Sequence, residues 1–172
     1  FDTVQVFTKN QQQWRAPPLD PAATTLWKAH VARLKFTSTV SHDSYLINLA
    51  SPNEETAKKS LDLCIVEHDR CNALGIPLLV MHPGAHMGQG EDVGIKKIAA
   101  ALNTIHKAVP GPVLTCLETT AGQGSSIGYK LEHLAEIIAK VKSPQRMAVC
   151  FDTAHLLAAG YDFRGRKYQS FC

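Results

Sequence analysis

Leu78-Leu79-Val80-Met81, running directly into His82-Pro83-Gly84, decides the fold. Four apolar residues in a row, with no polar alternation, predict a strand covered on both faces. That is the environment of a parallel sheet. Downstream, Ile95, Ile98, Ala99, Leu102, Ile105 and Val109 recur at helical spacing until Pro110-Gly111-Pro112 stops them. Val113 to Leu117 repeats the apolar run and reaches Glu118. A loop with Gly122, Gly124 and Gly128 leads to a helix striped by Leu131, Leu134, Ala135, Ile138 and Val141, and Met147 to Phe151 forms a further strand ending at Asp152.

Upstream the unit is the same. Phe36 to Val40 is rich in β-branched residues and predicts a strand ending at His42. Ser51-Pro52-Asn53-Glu54 has capping-box spacing and opens a helix that Gly75 stops near Leu74. Before these, Val4 to Thr8 is β-prone, and Asp20-Pro21 caps a helix to about Leu34. Strand and helix alternate without a linker, so the expected class is α/β with a parallel sheet.

Four successive strands therefore end in His42, His82, Glu118 and Asp152, which lie 40, 36 and 34 residues apart. Parallel strands point one way, so these side chains gather at one edge of the sheet, where α/β folds place their chemistry. One such residue is ordinarily a helix cap or a loop hydrogen-bonder. Four in succession at equivalent positions are better explained as metal ligands, with nitrogen and oxygen donors suited to zinc or manganese. His155 adds a fifth donor just beyond Asp152. His30, His68, His106 and His133 fall within predicted helices and are expected to be solvated or to pack. Pro83-Gly84 breaks the helix that would pair His86 with His82. Gly122-Gln123-Gly124 reads equally as a turn or as a phosphate cradle.

The 172 residues, 45% hydrophobic and 19% charged, fit one globular domain, with residues 164–172 an unplaced tail. A formal charge of +3 permits a nucleic-acid partner without demanding one. No apolar run approaches the roughly 18 residues that would span a bilayer. Five cysteines form no CxxC pair, and Cys64 and Cys71 lie two helical turns apart, roughly 10 Å, too far for a disulfide. Reduced thiols and the lack of a charged-then-apolar leader make an intracellular (cytoplasmic) rather than secreted protein the expectation. The chain opens on Phe1, already close to a strand, and closes on Gln169-Ser170-Phe171-Cys172 without capping logic, so a portion of a longer protein is expected.

Several tracts together resemble the endonuclease IV family of abasic-site DNA repair enzymes. They are Phe7-Thr8-Lys9-Asn10-Gln11, Gln13-Trp14-Arg15, His42-Asp43-Ser44-Tyr45-Leu46-Ile47-Asn48-Leu49, His82-Pro83-Gly84, Glu118 to Ser125, Asp152-Thr153-Ala154-His155, and Ala159-Gly160-Tyr161-Asp162. The resemblance implies a TIM barrel of the xylose isomerase-like type, here with about five of its eight strands. It also implies three zinc ions, with manganese possible at one site. By motif, His42 and His82 would bind one ion and Glu118 would bridge it to a second. Asp152 would bind that second ion and His155 the third. Glu118 and Asp152 are thereby the catalytic candidates.

The implied reaction is hydrolysis of the phosphodiester 5′ to an abasic site, leaving a 3′-hydroxyl and a 5′-deoxyribose phosphate. The implied partner is double-stranded DNA containing such sites, with the protein a monomer that touches no membrane. Tyr45 and Leu46 lie in the family's wedge loop. Lys9, Gln12 and Gln123 are the other expected DNA contacts, although family members commonly carry a basic residue where Gln12 stands. The family's first strand and its C-terminal part, which brings a further His, an Asp-x-His pair and a Glu, have no counterpart here. Two other readings stay open: a truncated, non-catalytic relative or abasic-DNA binder, and a metal-dependent sugar isomerase or epimerase.

Overall fold

A computed structural model describes residues 2–164; the unplaced tail, apart from Arg164, lies outside the described residues. The elements follow in the order β1 (Thr3–Val6), α1 (Pro21–Leu34), β2 (Ser38–His42), α2 (Glu54–Leu74), β3 (Leu78–Met81), β4 (Gly84–Ala85), α3 (Glu91–Ala108), β5 (Leu114–Glu118), β6 (Ser126–Ile127), α4 (Leu131–Lys140), a 3-10 turn at Pro144–Arg146, β7 (Met147–Cys150) and α5 (Thr153–Ala158). β1, β2, β3, β5 and β7 form one sheet in that order, and every pairing is parallel. Consecutive strands are neighbours and each is returned by a helix, which is how a TIM barrel is laid down. β1 and β7 stand at the two edges of this five-stranded arc.

The helices start and stop for local reasons. The Asp20 side chain accepts the Ala22 N–H, with Pro21 at the first helical position. Gly75, in the left-handed region at φ 71°, closes α2. The cap of α2 departs from the expected box. Asn53, not Ser51, is the N-cap and accepts from Thr56 N–H at 2.8 Å, while Ser51 Oγ accepts from Asn53 N–H and shapes the turn before it. The first two expected strands are also displaced. β1 ends at Val6 rather than Thr8, and β2 begins at Ser38 rather than Phe36.

The core lies between the sheet and helices α2 to α4. Met81 and Leu117 from the strands meet Leu63 and Cys64 of α2, Ile95, Ile98 and Leu102 of α3, and Leu134 and Ile137 of α4. Helix α1 buries no residue fully and leaves Leu26 and Leu34 exposed. His68, His106 and His133 are buried and His30 is exposed. Among the described residues no helix is long and apolar enough to cross a membrane. Cys64, Cys71, Cys116 and Cys150 are free thiols.

A second ladder was not visible in the sequence. β4 and β6 pair antiparallel, Gly84 opposite Ile127 and Ala85 opposite Ser126, and join the loops beyond β3 and β5. Asn48 draws in the loop after β2. Its Oδ1 accepts from Ala50 N–H and Ala85 N–H, and its Nδ2 donates to the Ala85 carbonyl. Gly84 is required at this crossing: a Cβ there would lie 2.7 Å from Asn48 Oδ1, at a φ of +132° that side chains avoid. Three loops at the C-terminal edge of the sheet are thus held as one surface.

Candidate metal centre

Glu118 ends β5 with its carboxylate buried, and three imidazoles converge on it. His42 Nε2 lies 3.0 Å and His82 Nε2 3.4 Å from Oε2, and His155 Nδ1 lies 3.2 Å from Oε1. One ligand atom each of His42, His82 and Glu118 falls within 4.8 Å of the others, and so it does for Glu118, Asp152 and His155. The two sets share Glu118. These are the four residues that the strand ends single out, together with His155 just beyond Asp152. His155 lies beside Glu118 and Asp152 in this cluster.

Local structure aims each ring. The His42 Nδ1–H donates to the Asp43 carbonyl at 2.9 Å. A neutral ring so committed turns the lone pair of Nε2 toward the carboxylate of Glu118. Two electron-rich atoms 3.0 Å apart repel unless a proton or a cation stands between them, and the donor set of imidazole and carboxylate suits a divalent ion. Burial of the His42 ring works against protonation, but the hydrogen bonds to Glu118 and the Asp43 carbonyl outweigh it, so its pKa is raised. Burial and the adjacent His42 and His155 rings hold His82 below its ordinary value, against the pull of Glu118.

Asp152 sits just past β7 and caps α5, its Oδ1 accepting the His155 N–H at 2.7 Å. Thr119 steadies both partners. Its Oγ1 accepts the Asp152 N–H, and its carbonyl accepts the His155 Nδ1–H at 2.9 Å, which leaves His155 Nε2 as that ring's lone-pair nitrogen.

Two cavities open over these residues. One, of about 590 Å³, is lined by His42, His82, Glu118, Asp152 and His155 together with Gln5 and Tyr45. The other, of about 410 Å³, runs from His82 and His155 past Tyr45, Leu46 and Gln123. Tyr45 is 59% exposed and packs edgewise on Phe7, with His42 and His82 nearby at ring separations of 5.3 and 6.0 Å. Leu46 is half-buried, and Gln12 and Gln123 are exposed. Gln123 to Ser126 form a turn with Gly124-Ser125 at its centre, in which Ser126 N–H donates to the Gln123 carbonyl. His86 stays outside the cluster, its Nδ1 accepting from Gly88 and Gly90 N–H.

Lys9 is placed against expectation. Its side chain is buried, 3.9 Å from Glu67 of α2, rather than presented to a ligand at the surface. Burial lowers its pKa, with Glu67 opposing, and burial raises that of Glu67 to about 7. Glu67 is a residue that sequence reasoning passed over. Val66-Glu67-His68-Asp69-Arg70 reads as a polar helix face, and nothing local marks its burial.

The family model described as a xylose isomerase-like TIM barrel matches residues 1–170. The probable endonuclease 4 of Geobacter sulfurreducens is 49% identical over 163 residues, covering 93% of this chain and 54% of that protein. The probable endonuclease 4 of Chloroflexus aurantiacus is 44% identical over 165 residues, covering 95% and 58%. The crystal structure of endonuclease IV from Thermus thermophilus superposes with a TM-score of 0.83 at 28% identity, over 99% of this chain and 60% of that one. A D-tagatose 3-epimerase-like protein shares the fold, with a TM-score of 0.76 at 19% identity over 94% of this chain and 60% of that one. The chain spans a little over half the length of the curated relatives it matches.

Proposed function

We propose, because this chain belongs to the endonuclease IV family of xylose isomerase-like TIM barrels, that it carries part of the catalytic centre of a zinc-dependent endonuclease. The substrate is double-stranded DNA with an abasic site, cut on its 5′ side to leave a 3′-hydroxyl and a 5′-deoxyribose phosphate. The observation that carries this reading is Glu118, a buried carboxylate in contact with three imidazoles at the C-terminal edge of the sheet.

His42, His82 and Glu118 would hold one ion, Glu118 and Asp152 a neighbouring second, and His155, through Nε2, a third. A divalent cation held there supplies Lewis-acid stabilisation of the charge that gathers on a phosphodiester during cleavage, and makes water more acidic. Burial of Glu118 and His42 keeps this charge exchange out of bulk solvent, where it is worth more. Asp43 and Thr119 carbonyls fix which nitrogen of His42 and His155 is presented. Tyr45, exposed beside the cluster, and Leu46 offer an apolar surface to a nucleotide that has lost its base, and Gln12 and Gln123 are polar contacts for the flanking strand. Lys9 has no part in that contact because it faces Glu67. The protein would act as a monomer inside the cell.

The deciding assay uses the full-length protein and a duplex with one synthetic abasic site. Cleavage that stops on chelation, returns with zinc and yields the stated ends supports the proposal. Absence of cleavage by the zinc-loaded protein, or turnover of keto and aldo sugars instead, refutes it.

A further inference from the structure

Behind the ligand cluster, one atom each of two ionisable side chains is buried without a hydrogen-bond partner: Lys9 Nζ and Asp43 Oδ2. Both stand in the field of Glu67, which projects from the middle of α2. Glu67 Oε1 accepts the Ser44 N–H at 3.1 Å. The Ser44 N–H and the Asp43 carbonyl belong to one peptide group, and that carbonyl is the acceptor for His42 Nδ1–H at 2.9 Å. A continuous path therefore runs from the Glu67 carboxylate through the 43–44 peptide to the His42 ring.

One helical turn further on, Arg70 donates to Thr8 Oγ1 at 3.3 Å, to the Thr8 carbonyl, and to the Pro17 carbonyl at 2.7 Å. Ser44 Oγ donates to the Gln11 carbonyl at 2.6 Å. The loop bearing Gln12 and the loop bearing Tyr45 are thus tied to each other and to one face of α2. A carboxylate buried in mid-helix is costly, and an apolar side chain of similar volume would serve the packing as well or better. The fold alone gives no reason for Glu67.

We propose that Glu67 is a positioning residue for His42. By holding the Ser44 N–H it sets the plane of the 43–44 peptide, whose carbonyl fixes the tautomer and direction of the ring, while its charge offsets Lys9. Hydrogen bonds in series polarise one another, so the carboxylate also strengthens the bond that the carbonyl makes to His42. This rests on the reading of His42 as a metal ligand.

The test measures zinc affinity by competition with a chromophoric chelator, and the visible spectrum of the cobalt-loaded protein, on the full-length chain. Glu67→Leu, folded by circular dichroism, is expected to bind zinc about 10–100-fold more weakly, with an altered cobalt spectrum. Glu67→Gln/Lys9→Met keeps an acceptor for Ser44 and removes the stranded cation, so it should return to within about threefold of wild type. If Glu67→Leu fails to fold, Glu67→Leu/Lys9→Met replaces it with the same expectation. Native affinity and spectrum in the leucine variant overturn the proposal, as does a folded Gln/Met variant as weak as the leucine one. A wild-type protein that takes up neither zinc nor cobalt refutes instead the metal-centre reading itself.

Discussion

His42 and Glu118 are 76 residues apart in the chain, yet Nε2 of one lies 3.0 Å from Oε2 of the other. One strand separates their origins: β2 pairs with β3, and β3 with β5, so the ends of β2 and β5 flank His82. Parallel register, rather than any local motif, makes this contact. The carboxylate is where both candidate ligand sets meet, which makes it the residue whose charge matters most.

Glu118→Gln preserves shape and removes that charge. The variant should remain folded, since the buried carboxylate is replaced by an amide that needs less solvation. Cleavage of abasic duplex should fall by at least about 10²–10³-fold, and bound zinc per chain should drop. Metal analysis beside a gel assay checks both. Native zinc content in the variant would contradict the shared-ligand role.

Tyr45 is exposed, so its loss costs the fold little. Tyr45→Ala should change unfolding free energy by no more than about 0.5 kcal/mol. It should weaken binding of an abasic duplex about tenfold relative to intact duplex, because base loss leaves a gap that the ring no longer fills. Equal losses on both duplexes would show that the ring contributes only to general DNA contact.

Thr115 links two buried histidines. Its hydroxyl lies 2.8 Å from His68 Nε2 and 2.9 Å from His106 Nε2. His68 Nδ1–H donates to the Cys64 carbonyl, so His68 Nε2 accepts the Thr115 O–H and the Thr115 oxygen accepts the His106 Nε2–H. Both rings are neutral. Burial lowers each pKa to about 4, and Arg146, which donates to the His106 and Val109 carbonyls, pushes the same way.

The unfolded chain therefore binds more protons than the folded one between about pH 4 and the ordinary histidine value of 6.5. The share of stability that depends on these two rings should be full above pH 6.5 and decline as pH falls through this window, by up to about 1.4 kcal/mol per pH unit for each ring. Glu67, raised from 4.5 to about 7, acts in the opposite direction. Urea midpoints at several pH values, with ring resonances followed by NMR, test this. Protonation of the two rings near pH 6.5 in the folded protein would contradict it.

Gly84→Ala should destabilise the fold by about 1–3 kcal/mol, since the added methyl meets Asn48 Oδ1 and the backbone conformation is strained. Asn48→Ala in the same background should add less than it does alone, because both changes break one crossing. Strict additivity in urea unfolding would show that the two sites are independent.

The sheet and its functional edge were legible because parallel strands covered on both faces leave unbroken apolar runs such as Leu78 to Met81, and each run stops at a polar residue. His42, His82, Glu118 and Asp152 stand out by position alone. Glu67 and Lys9 were not legible, since their burial is created by loops folding over α2 from 58 residues away, and their neighbours are polar. The β4–β6 ladder is two residues long on each side, too short to leave a pattern. The α2 cap fell on Asn53 because Ser51 spends its hydroxyl on the preceding turn.

The shared metal centre is tested most directly by an anomalous difference map at the zinc edge from crystals of the full-length protein. It should place a peak at roughly 2.0–2.2 Å from His42 Nε2, His82 Nε2 and a Glu118 oxygen together. A zinc-replete crystal with no peak among these three side chains would contradict it.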